Sequence, residues 1–293
     1  MEQLTITGFS TALFSTWYFV DELGILFDAG DGVTAGLLQK SGKVKHVFIS
    51  HADRDHLTGL LQFNQLNARD AGPVIYYPAN SGPFPALKAF SAQFDPHVSG
   101  MQWRPVIPNE EIWIKDDIAV QPVSNGHVPA PAGITKSVGY SVWQAKRMLK
   151  PELAILTGQE IKKIRKERGD AATTFEIRTN IISYSGDTPV EDINRWNDTN
   201  ILIHEATFLT GKEVDAPVPH GNKHSTLEQV IAMVAASNIK QLILGHFSSR
   251  YPSSEIEAAV KKLCDKYAVN IPVYCVLPGE TKRDILRGER ING

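Results

Sequence analysis

The sequence predicts an α/β fold in which two β-sheets pack together and helices cover their outer faces. Strand-like apolar runs alternate with helical stretches, turn-forming residues separate them, and 42% of the residues are hydrophobic. A chain of 293 residues with this content can bury a sizeable core. It contains no short-period repeat, low-complexity tract or Gly/Ser linker. We therefore expect one domain that covers residues 1–293.

Each element is predicted from the spacing of its apolar residues. In the first third of the chain, strands are expected at Leu4–Thr7, Ala12–Val20, Gly24–Phe27 and Val44–Ser50, and helices at Val33–Lys40 and Leu57–Asn67. Further strands are expected within residues 111–124 and 137–144, and at Phe175–Tyr184, Asn200–His204, Gln241–Gly245 and Val273–Leu277. The remaining helices are expected at residues 157–169, after Ser225, and at Ser254–Tyr267.

Charge and cysteine content argue against several classes of protein. The chain has 30 basic and 32 acidic residues, so nucleic-acid binding would have to come from a local patch. Cys264 and Cys275 are too few for a disulfide framework, and neither has a metal-type spacing to the histidines. Glu2 occupies a region where a signal peptide needs basic charge, and no apolar run approaches the roughly 20 residues of a membrane-spanning helix. We expect a cytoplasmic protein without a membrane partner.

Histidine and acidic side chains follow five of the predicted strands. They are His51, Asp53, Asp55 and His56 of "HADRDH", His127, Asp187, His204 with Glu205, and His246. Charges behind an apolar strand are costly unless something pairs them. A single His at such a position is more often a structural residue than a metal ligand, and an Asp after Gly more often forms a turn than binds a metal. The whole set fits better with a metal centre, because strand ends can aim distant ligands at one point.

These residues resemble the metallo-β-lactamase superfamily and, within it, the ribonuclease Z branch. The superfamily signature is His-x-His-x-Asp-His after a strand, then a distant His, a distant Asp and a C-terminal His. "HADRDH", His127, Asp187 and His246 fill those places in order. The stretches "FDAGDG", "SVGYSV", "SGDT", "HEATF", "HSTLEQV" and "GHFSSRY" resemble the branch in the same order, from residue 27 to 251. The resemblance implies a four-layer αβ/βα sandwich of two mixed β-sheets.

The resemblance also implies a ligand set for two divalent cations. His51, Asp53 and His127 would hold the first cation, and Asp55, His56 and His246 the second, with Asp187 between them. Such a pair can activate a water and stabilise the oxygens of an in-line displacement at phosphorus. In this family pattern Asp55 would also orient the attacking water. His224, supported by Glu205, would protonate the leaving ribose oxygen.

His224 also has a purely structural interpretation, as an exposed residue directly before a helix. The sequence Ser-Thr-Leu-Glu predicts that Ser225 is the N-cap of that helix and that Glu228 closes a capping box. The two interpretations are compatible, because a rigid cap would fix the direction in which His224 points.

Two features depart from the ribonuclease Z pattern. Asp53 replaces the second His of the signature, and this extra carboxylate favours harder ions such as Mn²⁺ or Fe²⁺ over the expected Zn²⁺. A centre with one metal, from which Asp53 has withdrawn, is the alternative. The segment between His127 and Asp187 also lacks a clear Gly/Pro-rich arm of the kind that grips the tRNA elbow in the family. It offers instead the basic residues Lys162, Lys163, Arg165, Lys166 and Arg168.

The leading functional hypothesis is a ribonuclease Z-like phosphodiesterase that removes the 3′ trailer of precursor tRNA, as a homodimer. A hydrolase of a small ester, lactam or cyclic nucleotide is the alternative enzyme, since the arm is missing and one ligand is altered. A metal-binding sensor without catalysis is the third hypothesis. Asp55, Glu205 and His224 argue against it, because metal binding alone needs no proton donor for a leaving group. The basic segment is weak evidence for RNA, since such faces are more often only solvated.

Overall fold

Two mixed β-sheets form the centre of the protein in this computed structural model, which describes residues 4–69, 72–94, 101–211 and 223–293. The first sheet contains β1 to β6 in chain order, namely Ile6–Thr11, Ser15–Val20, Ile25–Phe27, His46–Phe48, Val74–Pro78 and Gln102–Val106. The second contains β7 to β13 in chain order, namely Ile112–Lys115, Ile118–Ser124, Val138–Leu149, Thr174–Tyr184, Ile201–Glu205, Gln241–Gly245 and Val273–Cys275. In each sheet, antiparallel strands come first and parallel strands follow.

Helices cover the outer face of each sheet. The α-helices are labelled α1 to α7 in chain order, namely Val33–Leu37, Arg54–Leu57, Leu60–Asn67, Pro83–Phe94, Gly158–Arg168, Leu227–Ala235 and Ser253–Lys266. Buried side chains of α1, α3 and α4, such as Phe63 and Phe84, pack against the first sheet. Those of α6 and α7, such as Val230 and Val260, pack against the second. Of the described helices, none is long and apolar enough to cross a membrane.

A third apolar cluster fills the space between the two sheets. Ile6 and Tyr18 of the first sheet lie in the same cluster as Val120 and Tyr140 of the second. Fully burying a large apolar side chain contributes about 1.5–3 kcal/mol, so this central layer fixes the two sheets against each other. The order of layers is helix, sheet, sheet, helix, which confirms the predicted α/β fold with two mixed sheets.

Two local predictions were wrong. The expected strand Ala12–Val20 begins only at Ser15, because Leu13 adopts a left-handed backbone (φ 69°) in the turn between β1 and β2. The predicted N-cap Ser225 instead donates its hydroxyl to Thr188 O at 2.6 Å. The N-cap of α6 is therefore Thr226, one residue later, and Gln229 completes the capping box.

The sequence did not predict β5, α4 and β6, which lie between residues 74 and 106. Pro78 and Pro105 interrupt the apolar runs of the two strands, and Pro83 and Pro85 stand in the first turn of the helix. Proline weakens a strand or helix pattern in a sequence, although it is tolerated at sheet edges and in first turns of helices. β6 is the edge strand of its sheet, and α4 starts at Pro83.

Strands β9 and β10 form a hairpin that continues beyond the second sheet. β8 pairs with β9 only as far as Gln144, and β11 pairs with β10 only at Ser183 and Tyr184. Residues 145–149 and 174–179 therefore pair with each other and with no other described strand. Most of their side chains are exposed, and α5 lies in the connection at the tip. We call residues 145–179 the distal hairpin.

Candidate metal centre

The predicted ligands follow the carboxyl ends of strands and meet at one place. The loop after β4 carries His51 and Asp53, and the short helix α2 carries Asp55 and His56. His127, Asp187 and His246 follow β8, β10 and β12, and Glu205 is the last residue of β11. Two groups that share no residue each bring three ligand atoms within 4.8 Å of one another, and these are His51, His127 and Asp187, and Asp55, His56 and His246. A third group of the same kind, Asp187, His224 and His246, overlaps both.

Asp187 lies between the two groups. Its Oδ2 atom is 3.3 Å from the Nε2 atoms of both His56 and His246, and 3.7 Å from Nε2 of His51. The carboxyl is buried. Burial alone would raise the pKa of Asp187, but the charges of His246 and His56 hold it well below the usual value. A buried, ionised carboxylate at this point has the geometry of a bridging ligand.

Each imidazole of the two groups is anchored through Nδ1, so that Nε2 faces the centre. The Nδ1 partners are Ser50 Oγ for His51 at 2.9 Å, Asp28 Oδ2 for His56 at 2.7 Å, Lys223 O for His127 at 2.9 Å and Thr207 Oγ1 for His246 at 2.9 Å. Metal-bound histidines almost always have such a partner on the second ring nitrogen, because it fixes the tautomer and the ring orientation. Asp28, Ser50 and Thr207 were not predicted as site residues.

Asp28 is the main support that the sequence analysis missed. Its buried carboxylate accepts hydrogen bonds from the backbone N–H of Ser50 at 2.6 Å, from the Ser50 hydroxyl at 2.8 Å and from the Tyr184 hydroxyl. It thereby orients His56 directly and His51 through Ser50. The sequence did contain a signal for Asp28, because this acidic residue directly follows the apolar strand β3. An aspartate at this position is equally well explained as a turn former, and its backbone is indeed left-handed (φ 53°).

The arrangement fits a pair of divalent cations on its own chemistry. Nε2 of His51 is buried and has no hydrogen-bond partner among the described residues, which is costly unless a further group binds it. Imidazole nitrogens and carboxylate oxygens are the ligands of zinc and related transition metals in proteins. Two adjacent groups with a shared carboxylate therefore match a two-metal centre.

Asp53 closes the first group on its solvent side. Its Oδ2 atom is 3.4 Å from Nε2 of His127 and 3.6 Å from Nε2 of His51, and 61% of its side chain is exposed. The hydrogen bond with His127, followed by the proximity of the His51 imidazole, holds the pKa of Asp53 well below its usual range. Asp53 thus faces the two imidazoles of the first group from the solvent side.

Asp55 is held by the turn between β1 and β2. The backbone N–H of Leu13 donates to Asp55 Oδ2 at 3.0 Å, and the same oxygen lies 3.4 Å from Nε2 of His246 and 3.5 Å from Nε2 of His56. Burial acts to raise the pKa of Asp55, but the hydrogen bond with His246 and the charge of His56 lower it overall. Leu13 makes this contact from a left-handed backbone, a strained conformation that is common near functional sites.

His224 and Glu205 form a pair beside the two groups. Nδ1 of His224 lies 3.1 Å from Glu205 Oε1, and this oxygen also accepts the backbone N–H of Thr188 at 2.7 Å. Burial lowers the pKa of His224, but the charge and hydrogen bond of Glu205 outweigh it and raise the pKa to about 9. Thr207 links Glu205 Oε2, at 2.5 Å, to His246. His204 lies apart from the centre, with Nδ1 bonded to Glu205 O and its ring against Trp196.

Comparisons with known proteins agree with this geometry. No family model matches the chain. A chloroplastic tRNase Z of Arabidopsis thaliana is 27% identical over 279 residues, which cover 92% of this chain and 75% of the relative. A ribonuclease Z of Pyrococcus furiosus is 28% identical over 269 residues, which cover 82% of each.

Solved structures show the same architecture. The metallo-β-lactamase fold protein YhfI of Bacillus subtilis superposes with a TM-score of 0.62 and 13% identity, over 96% of this chain and 99% of that one. The short form of human tRNase Z gives a TM-score of 0.57 and 18% identity, over 84% and 93%. The protein thus has the metallo-β-lactamase fold. In sequence, it is similar over most of its length to proteins named ribonuclease Z or tRNase Z.

Proposed function

We propose that the chain is a metal-dependent phosphodiesterase that removes the 3′ trailer of precursor tRNA. One observation carries the proposal: two adjacent groups of metal ligands share Asp187, and the separate pair His224–Glu205 stands beside them. Expulsion of an alkoxide leaving group needs a proton donor. The His224 side chain is 24% exposed, against at most 4% for the other four imidazoles, so it is the ring that a leaving group could meet. Relatives named ribonuclease Z or tRNase Z, similar over most of the chain, support the choice of substrate.

Two cations would be held by the predicted ligands, with His51, Asp53 and His127 on one side, Asp55, His56 and His246 on the other, and Asp187 between them. When bound, the cations would supply Lewis acidity to the attacking water and to the phosphate oxygens. Zn²⁺ is the proposed metal, and Mn²⁺ or Fe²⁺ are the alternatives that the oxygen ligand Asp53 favours.

The side chains of the centre divide the remaining work. Asp55, fixed by the Leu13 N–H, accepts a hydrogen bond from the attacking water and thereby orients it toward phosphorus. His224 gives its proton to the leaving 3′ oxygen of the ribose, and Glu205 stabilises the protonated imidazole before transfer. Because Nδ1 of His224 is engaged by Glu205, the proton is donated from Nε2.

The distal hairpin supplies a candidate surface for RNA. It carries nine Lys and Arg against five Asp and Glu, whereas the whole chain carries 30 against 32. The positive charge of the protein is therefore concentrated on a two-stranded extension, which also exposes Phe175 and Ile177. An extended basic surface of this kind binds phosphates electrostatically at a distance from the cleaved bond. We propose that it takes the place of the Gly/Pro-rich arm.

The test is to incubate purified protein, reconstituted separately with Zn²⁺, Mn²⁺ or Fe²⁺, with a 3′-extended tRNA and with bis(p-nitrophenyl) phosphate. Cleavage of the RNA at the trailer boundary, with a 3′ hydroxyl on the tRNA, supports the proposal. Hydrolysis of the small ester with no cleavage of the RNA under any metal would instead favour the small-ester hydrolase.

Assembly and location follow as parts of the same proposal. A homodimer is expected from the resemblance to ribonuclease Z, and light scattering on the purified protein tests it directly. We also propose a cytoplasmic location, as part of the same role in tRNA maturation.

A further inference from the structure

The hydroxyl of Thr207 lies between the ligand His246 and the pair His224–Glu205. Its Oγ1 atom is 2.9 Å from His246 Nδ1, 2.5 Å from Glu205 Oε2 and 3.3 Å from His224 Nδ1. Thr207 is buried, and the rings of His224 and His246 lie nearly parallel beside it, with 5.5 Å between centroids and 19° between planes. One hydroxyl group therefore contacts both imidazoles and the carboxylate, and the proposed mechanism gives it no role.

The backbone around Thr207 is bonded to the segment that carries His246. The N–H of Ala206 donates to Gly245 O at 2.9 Å, and the N–H of Ser248 donates to Thr207 O at 3.1 Å. These bonds extend the parallel pairing of β11 with β12 beyond the ends of both strands. The distance between the Thr207 hydroxyl and the His246 ring is therefore fixed by the sheet.

The proton of the Thr207 hydroxyl can be assigned from its neighbours. Both oxygens of Glu205 accept backbone N–H groups, Oε1 from Thr188 at 2.7 Å and Oε2 from Thr207 at 3.3 Å, so this carboxylate acts as an acceptor. A threonine hydroxyl has one proton to donate and two lone pairs to accept with. Thr207 therefore donates its proton to Glu205 Oε2, and its lone pairs face the two imidazoles.

This assignment fixes the tautomer of His246. Because the Thr207 proton is directed to Glu205, the hydrogen between Thr207 and His246 must belong to Nδ1 of the ring. Nε2 of the neutral ring then presents a lone pair toward the carboxylate oxygens of Asp55 and Asp187, at 3.4 and 3.3 Å. A lone pair that faces carboxylate oxygens is favourable only with a cation between them. The hydroxyl thus prepares His246 as a metal ligand.

The same hydroxyl orients His224. Nδ1 of His224 lies 3.1 Å from Glu205 Oε1 and 3.3 Å from Thr207 Oγ1, so the hydrogen on this nitrogen has two acceptors on one side of the ring. Nε2 is then the nitrogen from which a proton can be delivered. Loss of the hydroxyl would remove one of these acceptors and also the side-chain donor that holds Glu205 Oε2.

We propose that Thr207 is a positioning residue that couples the cation held by His246 to the proton donor His224. The inference rests on the proposed phosphodiesterase function and connects its two parts, the metal centre and the acid. When Nε2 of His246 binds a cation, its Nδ1–H becomes a stronger donor to Thr207, and hydrogen bonds in a chain strengthen one another. The pair His224–Glu205 is therefore held most firmly when the centre is loaded.

The first test is metal affinity, which does not depend on turnover. Metal-free protein is titrated with Zn²⁺ against a competing chelator. Thr207→Val keeps the shape of the side chain and removes the hydroxyl, so it should weaken the binding of one Zn²⁺ ion by about 10–100-fold. Thr207→Ser keeps the hydroxyl and should restore most of the wild-type affinity.

The second test compares diphenyl phosphate with bis(p-nitrophenyl) phosphate at saturating Zn²⁺. Thr207→Val should lower the ratio of the first rate to the second by about tenfold or more, because only the phenol leaving group needs a well-placed proton. In protein that already carries His224→Ala, Thr207→Val should not lower this ratio further, because both changes act on the same proton transfer. A further fall of the ratio in the double variant would overturn the coupling.

Thr199→Val is the matched control, because Thr199 is also buried and its hydroxyl contacts two side chains, those of Asn180 and Ser183. It should change neither the Zn²⁺ affinity nor the ratio of rates. Unchanged affinity and ratio in Thr207→Val, or equal losses in Thr207→Val and Thr207→Ser, would overturn the inference. If both tests give the expected result and wild-type protein does not cleave 3′-extended tRNA, the tRNA proposal alone fails.

Discussion

At the scale of single residues, exposure separates the proposed metal ligands from the proposed proton donor. The side chains of His51, His56, His127 and His246 are at most 4% exposed, whereas that of His224 is 24% exposed. All five rings are anchored through Nδ1, so the anchor alone does not distinguish them. The accessible ring beside a buried carboxylate is the one that can meet a substrate.

His224→Ala should slow cleavage of substrates with poor leaving groups by about 10²–10⁴-fold and leave the metal content unchanged. The reason is that the proposed role of His224 is to donate a proton and not to bind metal. A p-nitrophenyl ester should be much less affected, because its leaving group needs little protonation. Rates for both substrates and elemental analysis of the variant check the prediction. Loss of metal, or the same loss of rate on both substrates, would contradict the assigned role.

Asp53→His should shift the metal preference toward Zn²⁺, because it replaces a hard oxygen ligand by an imidazole. Competition between Zn²⁺ and Mn²⁺ for metal-free protein, read by elemental analysis of the wild type and the variant, measures the change. Asp31→His, another exposed aspartate, serves as the control. If Asp53→His and the wild type take up the same metals in the same ratio, Asp53 is not a ligand and the single-metal alternative gains support.

At the scale of elements, β4 begins with His46, whose neutral form is favoured over its protonated form in the folded protein. His46 lies 6.3 Å from the ring of Phe48 and 6.1 Å from that of Tyr76, measured between centroids. Burial, followed by the charges of Lys45 and Lys115, lowers the pKa of His46 to about 4. The folded state therefore disfavours the proton that the unfolded chain accepts near pH 6.5.

This difference makes a prediction for acid stability. The contribution of neutral His46 is complete above pH 6.5 and is lost as the pH falls toward 4, because the unfolded state then binds an additional proton. Over that range the wild type should lose up to about 3 kcal/mol of unfolding free energy that His46→Gln retains. Urea unfolding of both metal-free proteins at pH 7 and pH 4.5 measures it. Parallel losses in the two proteins would show that His46 does not titrate in this way.

Helix α5 of the distal hairpin is the element to test for RNA binding. The double variant Lys162→Gln and Lys163→Gln should bind 3′-extended tRNA more weakly than the wild type. The slope of the logarithm of the association constant against the logarithm of salt concentration should become shallower by up to about 1 for each phosphate contact that is lost. Lys261→Gln with Lys262→Gln on α7 is the matched control, since it also removes two adjacent exposed lysines from a helix. Unchanged RNA binding in the α5 variant would mean that this helix face is only solvated.

The elements also show what the sequence could predict. Ligands such as His127 and His246 were predictable because a polar residue behind an apolar strand is a local signal. The hydrogen bonds that hold these side chains were not predictable, because they join residues that are far apart in the sequence. Leu13 is 42 positions from Asp55, and Asp28 is 28 positions from His56. The same holds for the distal hairpin. Its basic residues are visible in the sequence, but their place beyond the sheet depends on where β8 and β11 stop pairing.

At the scale of the whole molecule, the two sheets bring one set of ligands to a common point. The first sheet contributes His51 to His56 after β4, and the second contributes His127, Asp187 and His246 after three of its strands. The central apolar layer between the sheets therefore fixes the distance between the two halves of the centre. Asp187 from one sheet contacts His56 from the other, so the complete site exists only when the sheets are packed.

The number of metal ions per chain tests this account most directly. Protein prepared metal-free and reconstituted with Zn²⁺, Mn²⁺ or Fe²⁺ should retain about two ions per chain after excess metal is removed, because each group supplies three ligands and Asp187 joins them. Asp187→Ala should lose at least one ion, and His46→Gln, which lies outside the centre, should keep both. At most one ion per wild-type chain with every metal tried would contradict the two-cation centre.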